Sequence, residues 1–214
     1  MTRHPFLDRK SETPTVAVAI PTLNEEANIG SVLKIFTMSR YPAIVDIIVV
    51  DGGSRDRTKE IVVDWGRRDP RIRLLDNPKK FQSYAFNLAM DATQAELFVR
   101  ADAHSIYAED YVECCVAELI RTKALNVGGA QRFVADGLVQ AGVALAAHSR
   151  FGSGGAKYRD KNYDGFAKTV FLGYFWRSAI RAVGGYQRES MVNEDSELNL
   201  RLLSGPFSLQ NAIN

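Results

Sequence analysis

The sequence predicts an α/β protein with a mainly parallel central sheet flanked by helices. Short apolar, β-branched runs alternate with amphipathic segments of helical period, and short connections separate them. Three of the predicted strands are followed directly by polar clusters. Since the carboxyl ends of neighbouring parallel strands border one crevice, these clusters should meet there at a single ligand site.

The composition is that of a globular domain. The chain has 214 residues, 46% of them hydrophobic, with 27 Lys and Arg against 25 Asp and Glu. It lacks a basic block interleaved with aromatics, so nucleic acid is not expected as a partner. Residues 1–14 do not resemble a signal peptide, and no apolar run approaches the roughly 20 residues that span a bilayer. We therefore expect a cytoplasmic protein.

Strands and helices are predicted to alternate through the first half of the chain. The first strand, residues 15–20, should be buried on both faces and end at Pro21, and Asn24 should cap the helix that follows. Apolar residues recur in that helix at positions Ile29, Val32, Leu33 and Phe36. Further strands are predicted at residues 44–50, 72–75 and 97–99, and further helices after Arg57, at 82–91 and at 109–123.

The second half of the chain is less regular. The predicted elements are a strand near residues 126–134, an alanine-rich helix near 138–148, an apolar run at 170–176 before a short helix, and a helix that begins in the acidic segment 193–197. The glycine-rich loop 151–155 lacks the spacing of a phosphate-binding P-loop, and no G-x-G-x-x-G follows the first strand. These absences disfavour a P-loop enzyme and a dinucleotide-dependent oxidoreductase.

Asp51 follows the second predicted strand directly. The glycines after it, Gly52 and Gly53, let the backbone turn sharply and approach a ligand closely. The Asp51 carboxylate could accept a hydrogen bond from a base imide or from a ribose hydroxyl. The alternative is a local role in a turn that Ser54 and Asp56 cap.

Asp102 and His104 follow the fourth predicted strand. In an extended segment, residues two apart point the same way, so this pair could hold one divalent cation. Oxygen and imidazole ligands suit Mn²⁺ somewhat better than Mg²⁺, and such a cation would bridge the phosphates of a diphosphate. The alternative is that Asp102 caps a loop and His104 is a solvated side chain.

Glu194 and Asp195 open the last predicted helix. A carboxylate held in a crevice and partly desolvated can remove a hydroxyl proton at neutral pH, which makes this pair a candidate general base. The alternative is structural, because the helix dipole stabilises acidic residues at a helix start.

Four segments together carry a resemblance to a known family. They are IPTLNEE at residues 20–26, IIVVDGGSRDRT at 47–58, VRADAH at 99–104 and NEDSELNLRL at 193–202. Their order and spacing resemble family 2 glycosyltransferases of GT-A fold, most closely the succinoglycan-biosynthesis, ExoA-type group. The resemblance implies an inverting transfer of a sugar from a nucleotide-diphosphate sugar, with UDP favoured, to a hydroxyl of a saccharide acceptor that is commonly lipid-linked.

The resemblance also implies roles for individual residues. Asp195 matches the catalytic base, with Glu194 beside it, and Asp102 with His104 matches the metal and diphosphate motif for Mn²⁺ or Mg²⁺. The positions that match the nucleotide-sugar pocket are Pro21, Thr22, Asn24, Glu25, Asp51, Gly53 and Asp102. Through its lipid-linked acceptor, the protein could associate peripherally with the cytoplasmic face of the inner membrane.

The domain boundaries follow the extent of this resemblance. Residues 15–203 are predicted to form the catalytic domain, with a nucleotide-binding half at 15–105 and an acceptor-binding half at 106–203. Residues 1–14 are predicted to be an N-terminal tail. Residues 204–214 match nothing typical of the family, and we expect them to be an atypical, truncated C-terminus.

The sequence leaves two alternatives to glycosyl transfer. One is a catalytically silent, truncated remnant that only binds a nucleotide sugar, for which the atypical C-terminus is the argument. The other is a sugar-phosphate nucleotidyltransferase, which should carry a glycine-rich loop after the first strand. Residues 21–26 contain no glycine, so this function is disfavoured. The sugar, the acceptor and the oligomeric state stay open.

Overall fold

A computed structural model describes residues 13–129, 165–167, 170, 172–187, 194–204 and 211–213. Its strands are β1 (Val16–Thr22), β2 (Ile44–Asp51), β3 (Ile72–Asp76), β4 (Leu97–Arg100), β5 (Asn126–Gly128), β6 (Gly165–Ala167), β7 (Tyr174–Trp176) and β8 (Asn211–Ile213). Its helices are α1 (Ile29–Thr37), α2 (Thr58–Arg68), α3 (Gln82–Asp91), α4 (Tyr111–Thr122), α5 (Arg177–Ala182) and α6 (Glu194–Ser204).

The described strands form one sheet in the order β3-β2-β1-β4-β7-β5-β8-β6. The pairings among β3, β2, β1 and β4 are parallel. On the other side of β4 the sheet becomes mixed, because β7 is antiparallel to both β4 and β5, β8 is parallel to β5, and β6 is antiparallel to β8. The predicted α/β fold class is confirmed.

The core lies on both faces of the parallel half of the sheet. Every residue from Val16 to Ile20 is fully buried, as the uninterrupted apolar run of β1 predicts for a strand covered on both sides. Helix α3 packs against β1 and β2, α1 contacts β2 and α2, and α4 contacts β5 and β7. The predicted apolar stripe of α1, which comprises Ile29, Val32, Leu33 and Phe36, is buried. The carboxyl ends of β1, β2 and β4 are thereby held at one edge of a rigid layer.

Pro21 does not end the first strand, contrary to the prediction. Strand β1 continues to Thr22, where Pro21 is in register with Val50 of β2. The Ala19 carbonyl accepts from the Ala101 amide on the β4 side, and the Thr22 carbonyl accepts from the Gly52 amide on the β2 side. Pro21 lies beyond the last pairing with β4, so its missing amide hydrogen costs the ladder no bond.

Asn24 does not cap α1, again contrary to the prediction. The helix begins at Ile29 with Asn28 as its N-cap residue, and Asn24 has a positive φ of 56° in the preceding loop. Asparagine tolerates this left-handed conformation better than most residues. The helix therefore begins four residues further on than the cap position predicts.

Several predicted elements lie outside the described residues. These are the strand beyond residue 129, the helix at 138–148 and the loop at 151–155. Residues 211–213, within the segment that matches nothing typical of the family, pair as β8 between β5 and β6. Within the described part of the chain, no helix is both long and apolar enough to cross a membrane.

Substitutions of two separate glycines, Gly173 and Gly30, test the described packing. A Cβ at Gly173 would lie 2.3 Å from Asn126 Oδ1 and 2.5 Å from the Phe175 ring, so Gly173→Ala should lower the free energy of unfolding by about 1–3 kcal/mol. At Gly30, within α1, a Cβ would meet its first neighbour only at 3.8 Å. Gly30→Ala should therefore raise the free energy of unfolding by about 0.5–1 kcal/mol. Urea denaturation measures both, and equal effects would contradict the described packing.

Candidate active site

The polar clusters that follow β1, β2 and β4 lie together at the carboxyl edge of the sheet. Thr22 at the end of β1 is in register with Asp51 at the end of β2. On the other side of β1, the chain leaves β4 through Ala101 and enters the loop that carries Asp102 and His104. The predicted convergence of distant loops at one edge is therefore present.

The two carboxylate oxygens of Asp51 have different roles. Oδ2 accepts hydrogen bonds from the Gly53 amide at 2.8 Å and the Ser54 amide at 2.9 Å, which is the predicted turn, and Gly53 has a φ of 94°. Oδ1 is buried and has no hydrogen-bond partner within the described part of the chain, and neither has the buried hydroxyl of Thr22. Since unpaired buried acceptors are costly, one carboxylate oxygen and a neighbouring hydroxyl remain available for a ligand.

Lys59 also contacts Asp51, and the sequence reasoning missed this contact. Its Nζ lies 3.3 Å from Asp51 Oδ2 and 2.8 Å from Asp76 Oδ1. Burial alone would raise the pKa of Asp51, but hydrogen bonds from Ser54 and Gly53 together with Lys59 hold that pKa below its usual value. A lysine in the first turn of the helix after the Asp51 turn is the only sequence signal for this contact.

The loops after β1 and β2 brace each other through reciprocal hydrogen bonds. The Asn24 amide donates to Ser54 Oγ at 2.8 Å, and Asn24 Oδ1 accepts from the Arg55 amide at 2.9 Å. The Glu26 amide donates to Asp56 Oδ2 at 3.0 Å in the same way. The Asn24 side-chain oxygen is thus used to hold the loops, and a role for Asn24 in binding a nucleoside stays a prediction.

Glu25 joins these two loops to the one after β4. Its amide donates to Thr58 Oγ1 at 2.7 Å, and its Oε2 accepts from Asn28 at 2.9 Å. Its other carboxylate oxygen, Oε1, lies 3.2 Å from Nδ1 of His104. The side chain of His104 is 67% exposed, so Glu25 orients an imidazole that is open to solvent.

Asp102 is held by Tyr107 rather than by an extended strand. Ala103 and His104 lie in a turn, so the alternation that predicted parallel side chains does not apply. The Tyr107 hydroxyl accepts from the Asp102 amide at 2.6 Å and lies 3.2 Å from the Asp102 carbonyl oxygen. Tyr107 is buried, and its ring packs 5.1 Å from that of Phe36, which fixes the hydroxyl in place.

The residues present fit a metal ion that takes some of its ligands from the protein and others from a bound anion. Asp102 Oδ1 is buried and accepts no hydrogen bond within the described residues. His104 offers an exposed imidazole beside it in sequence. No group of three or more His, Cys, Asp or Glu side chains suited to a metal occurs in the part of the chain that the structure describes. Asp102 and His104 would then be two of the ligands, and phosphate oxygens of a bound molecule could supply others.

Arg100 links the Asp102 loop to the start of α6. Its Nη2 lies 3.8 Å from Asp102 Oδ1, and its Nη1 lies 3.2 Å from Glu194 Oε1 and in contact with Asp195 Oδ1. The Arg100 side chain is only 8% exposed, and its guanidinium stacks 4.9 Å from the centroid of the Phe86 ring. The sequence reasoning missed Arg100, although an arginine in an otherwise apolar strand implies buried acidic partners.

Burial sets the ionisation of the two aspartates in contact with Arg100. Burial raises the pKa of Asp195 above its usual value, and Arg100 only partly opposes this shift. The pKa of Asp102 is raised for the same reason, again against the attraction of Arg100. A carboxylate with a raised pKa is a better proton acceptor than an exposed one, which suits general-base chemistry.

Buried contacts of α6 hold Glu194 and Asp195 in place. Asn126 of β5 donates through Nδ2 to Asn199 Oδ1 at 3.0 Å, and both side chains are buried. On the same helix, Leu198 and Leu202 are fully buried in the core. The start of α6 is therefore fixed relative to the sheet and not only by its own charges.

Solved structures with this architecture are glycosyltransferases. Mannosyltransferase PcManGT from Pyrobaculum calidifontis, in complex with GDP-Man and Mn²⁺, matches 98% of this chain and 61% of its own with a TM-score of 0.70 and 20% identity. TarS 1-349 from S. aureus, in complex with UDP-GlcNAc, matches 94% of this chain and 56% of its own with a TM-score of 0.71 and 14% identity. The fold is that of the GT-A glycosyltransferases.

The chain belongs to Glycosyl transferase family 2, which matches residues 17–184. The succinoglycan biosynthesis protein ExoA of Rhizobium meliloti (strain 1021) is 36% identical over 187 residues, which are 86% of this chain and 57% of that protein. The dolichyl N-acetyl-alpha-D-glucosaminyl phosphate 3-beta-D-2,3-diacetamido-2,3-dideoxy-beta-D-glucuronosyltransferase of Methanococcus voltae is 25% identical over 203 residues. The chain spans 57% and 63% of the lengths of these two relatives. The predicted family and the predicted resemblance to the ExoA-type group are confirmed.

The hydroxyl of Tyr107 tests the support of Asp102. Tyr107→Phe removes the group that bonds the Asp102 amide, and should lower the free energy of unfolding by about 1 kcal/mol. It should also weaken the binding of Mn²⁺ in the presence of UDP by about tenfold, because groups that orient a metal ligand contribute that much. Calorimetric titration measures the second effect.

Tyr41→Phe is the matched control. The buried Tyr41 hydroxyl donates to the Pro14 carbonyl at 2.6 Å, away from the carboxyl edge. This variant should lose similar stability and bind Mn²⁺ and UDP as the unaltered protein does. Equal binding losses in both variants would contradict a specific role of Tyr107.

Proposed function

We propose that this protein is an inverting glycosyltransferase that moves a sugar from a nucleotide-diphosphate sugar to a hydroxyl of a saccharide acceptor. The proposal rests on one observation: three acidic side chains lie along the same edge of the sheet. Asp51 has a free buried oxygen, Asp102 lies beside β4, and Asp195 lies across Arg100 from Asp102. Asp51 would accept a hydrogen bond from the nucleobase, and Asp102 would anchor the diphosphate and the metal. Asp195 would accept the proton of the acceptor hydroxyl.

Asp51 is the proposed recognition group for the nucleobase. Its Oδ1 is a pure acceptor because the carboxylate is ionised, so it pairs with a ring that carries an N–H. Uracil and guanine have such an N–H, whereas the cytosine ring of a nucleotide has none. Among these we favour uridine, with Thr22 lining the same pocket and Pro21, Asn24, Glu25 and Gly53 shaping it.

Asp102 and His104 are the proposed ligands of a divalent metal, Mn²⁺ or Mg²⁺. The bound ion would supply positive charge to the leaving diphosphate, which stabilises the departing group. Asp102 brings a carboxylate that Tyr107 holds by its backbone, and His104 brings an imidazole that Glu25 orients through Nδ1. Phosphate oxygens of the donor could then occupy other coordination positions of the metal.

Asp195 is the proposed general base. Its side chain is 23% exposed and its Oδ1 is buried against Arg100, so we take Oδ2 as the oxygen that accepts the proton. Asp195 would remove the proton of the acceptor hydroxyl as that oxygen attacks the anomeric carbon of the donor sugar. The bond to the diphosphate breaks on the opposite face of the sugar, which inverts the configuration in a single displacement. Glu194 shares the Arg100 guanidinium with Asp195, and its negative charge contributes to the raised pKa of Asp195.

The acceptor is proposed to be a growing saccharide in exopolysaccharide or cell-surface glycan synthesis. The support is the 36% identity to a succinoglycan biosynthesis protein. A lipid-linked acceptor would bring the protein to the cytoplasmic face of the inner membrane by peripheral association. Nucleic acid has no place in this proposal.

Release of nucleoside diphosphate tests the proposed reaction. UDP-, GDP- and TDP-sugars are offered with Mn²⁺ or Mg²⁺ and a polyprenyl-linked saccharide, and thermal shift reports donor binding. One donor, expected to be a UDP-sugar, should both stabilise the protein and turn over. Asp102→Ala should abolish donor binding, while Asp195→Asn should keep binding and lose kcat by about 10²-fold or more.

The control is Asp64→Asn, on the outer surface of α2, where Asp64 pairs with Arg67. This variant should bind and turn over as the unaltered protein does. Donor binding without turnover, with the acceptor supplied, would favour a catalytically silent nucleotide-sugar-binding protein. The absence of metal-dependent binding to every donor would contradict the site assignment itself.

The acid side of the pH profile reports on Asp195. A general base acts only when ionised, so kcat should fall as the pH drops through the raised pKa of Asp195. The midpoint should therefore lie above the value of about 3.9 that an exposed aspartate has. The measurement is kcat at saturating donor and acceptor over the acidic range in which the protein stays folded. A rate that does not decline until the protein unfolds would contradict Asp195 as the base.

A further inference from the structure

We propose that Arg100 is a positioning residue that holds the acidic start of α6 against the end of β4, so that Asp195 and Asp102 face one site. The catalytic meaning of this inference rests on the proposed function. Its structural content does not: Arg100 holds the acidic start of α6 at the end of β4, and the buried contacts of Leu198, Asn199 and Leu202 hold the remainder of the helix. The family match and the motif resemblance assign no role to this residue.

The backbone places Arg100 rigidly. Arg100 is the last residue of β4, in register with Ala19 of the fully buried strand β1, and its amide donates to the Gly173 carbonyl at 3.1 Å. Its guanidinium lies over the Phe86 ring of α3. The cation is thus supplied by a buried strand of the sheet and not by the loops that it contacts.

The charges around Arg100 explain why a cation is needed there. Three carboxylates, those of Asp102, Glu194 and Asp195, surround one guanidinium, which leaves a net charge of −2 when all are ionised. Glu194 and Asp102 each act electrostatically on Asp195 in the direction that opposes its ionisation. Without Arg100 the start of α6 would be repelled from the Asp102 loop, since like charges in a partly desolvated site are costly.

The shape of the guanidinium matters as well as its charge. Nη1 contacts both acidic residues of α6, while Nη2 points to Asp102. Gln82, at the first position of α3, adjoins both groups: with its side-chain amide turned by 180°, the nitrogen donates to Glu194 Oε1 at 2.9 Å and the oxygen accepts from Arg100 Nη2 at 3.3 Å. A lysine would restore one point charge but could not contact both elements in this fork geometry.

The test combines hydrogen exchange with steady-state kinetics on Arg100→Met and Arg100→Lys. Amide exchange is followed for residues 198–204 of α6, with residues 33–37 of α1 as the internal reference for global opening. In Arg100→Met the α6 amides should exchange at least about tenfold faster relative to the reference, because a local contact of α6 has been removed. Arg100→Lys should lie between Arg100→Met and the unaltered protein.

The kinetic arm separates positioning from binding. Arg100→Met should lower kcat by about 10²-fold, because a small displacement of a reacting group has an effect of that size. The KM for the donor should stay within about threefold, because Tyr107 still holds the Asp102 backbone and the nucleobase is proposed to bind at Asp51, in a different cluster. A rise in KM with unchanged kcat would overturn the inference, and so would unchanged exchange of α6.

Arg73→Met is the matched control. Arg73 is a half-buried arginine of β3 that bonds Asp46 at 2.8 Å and the Ala92 carbonyl at 2.7 Å. Its loss should lower overall stability without selective exchange of α6 and without loss of kcat. If Arg100→Met fails to fold, Arg100→Lys carries the comparison. If the unaltered protein shows no turnover, the proposed function fails, and hydrogen exchange alone then decides whether Arg100 holds α6.

Discussion

The register between β1 and its two parallel neighbours decides where every group of the candidate site lies. Thr22 is opposite Asp51 on one side of β1, and Ala19 is opposite Arg100 on the other. A slip in this register would separate Thr22 from Asp51 and Ala19 from Arg100, and would shift the polar end of β1 relative to the buried layer. The core therefore fixes the spacing between the nucleobase acceptor proposed for β2 and the acidic cluster at β4, and the loops refine that spacing.

Local and functional roles coexist in single side chains at this edge. Asp51 uses one carboxylate oxygen to build its own turn and keeps the other buried and free. Tyr107 serves the core with its ring and the Asp102 backbone with its hydroxyl. The turn role of Asp51 and its proposed ligand role are therefore compatible, since each uses a different carboxylate oxygen.

Regular elements were predictable where one periodicity dominated. The helix at 82–91 and the strands before Asp51 and Asp102 follow from runs of apolar residues with clear ends. Pro21 and Asn24 were misread because their conformations depend on neighbours distant in sequence, the early end of β4 and the Asp51 loop. Arg100 and Lys59 were missed for the same reason: a charged side chain reveals its partner only when the fold brings the partner near.

The central claim is that the clusters after β1, β2 and β4 and the start of α6 form one donor site. A crystal structure of this chain with UDP and Mn²⁺ tests it most directly. The account predicts the uracil N–H on Asp51 Oδ1, the ion on Asp102 and His104 together with the diphosphate, and Asp195 on the open side of that diphosphate. A nucleotide bound away from the carboxyl edge, or one that leaves Asp51 Oδ1 without a partner, would contradict it.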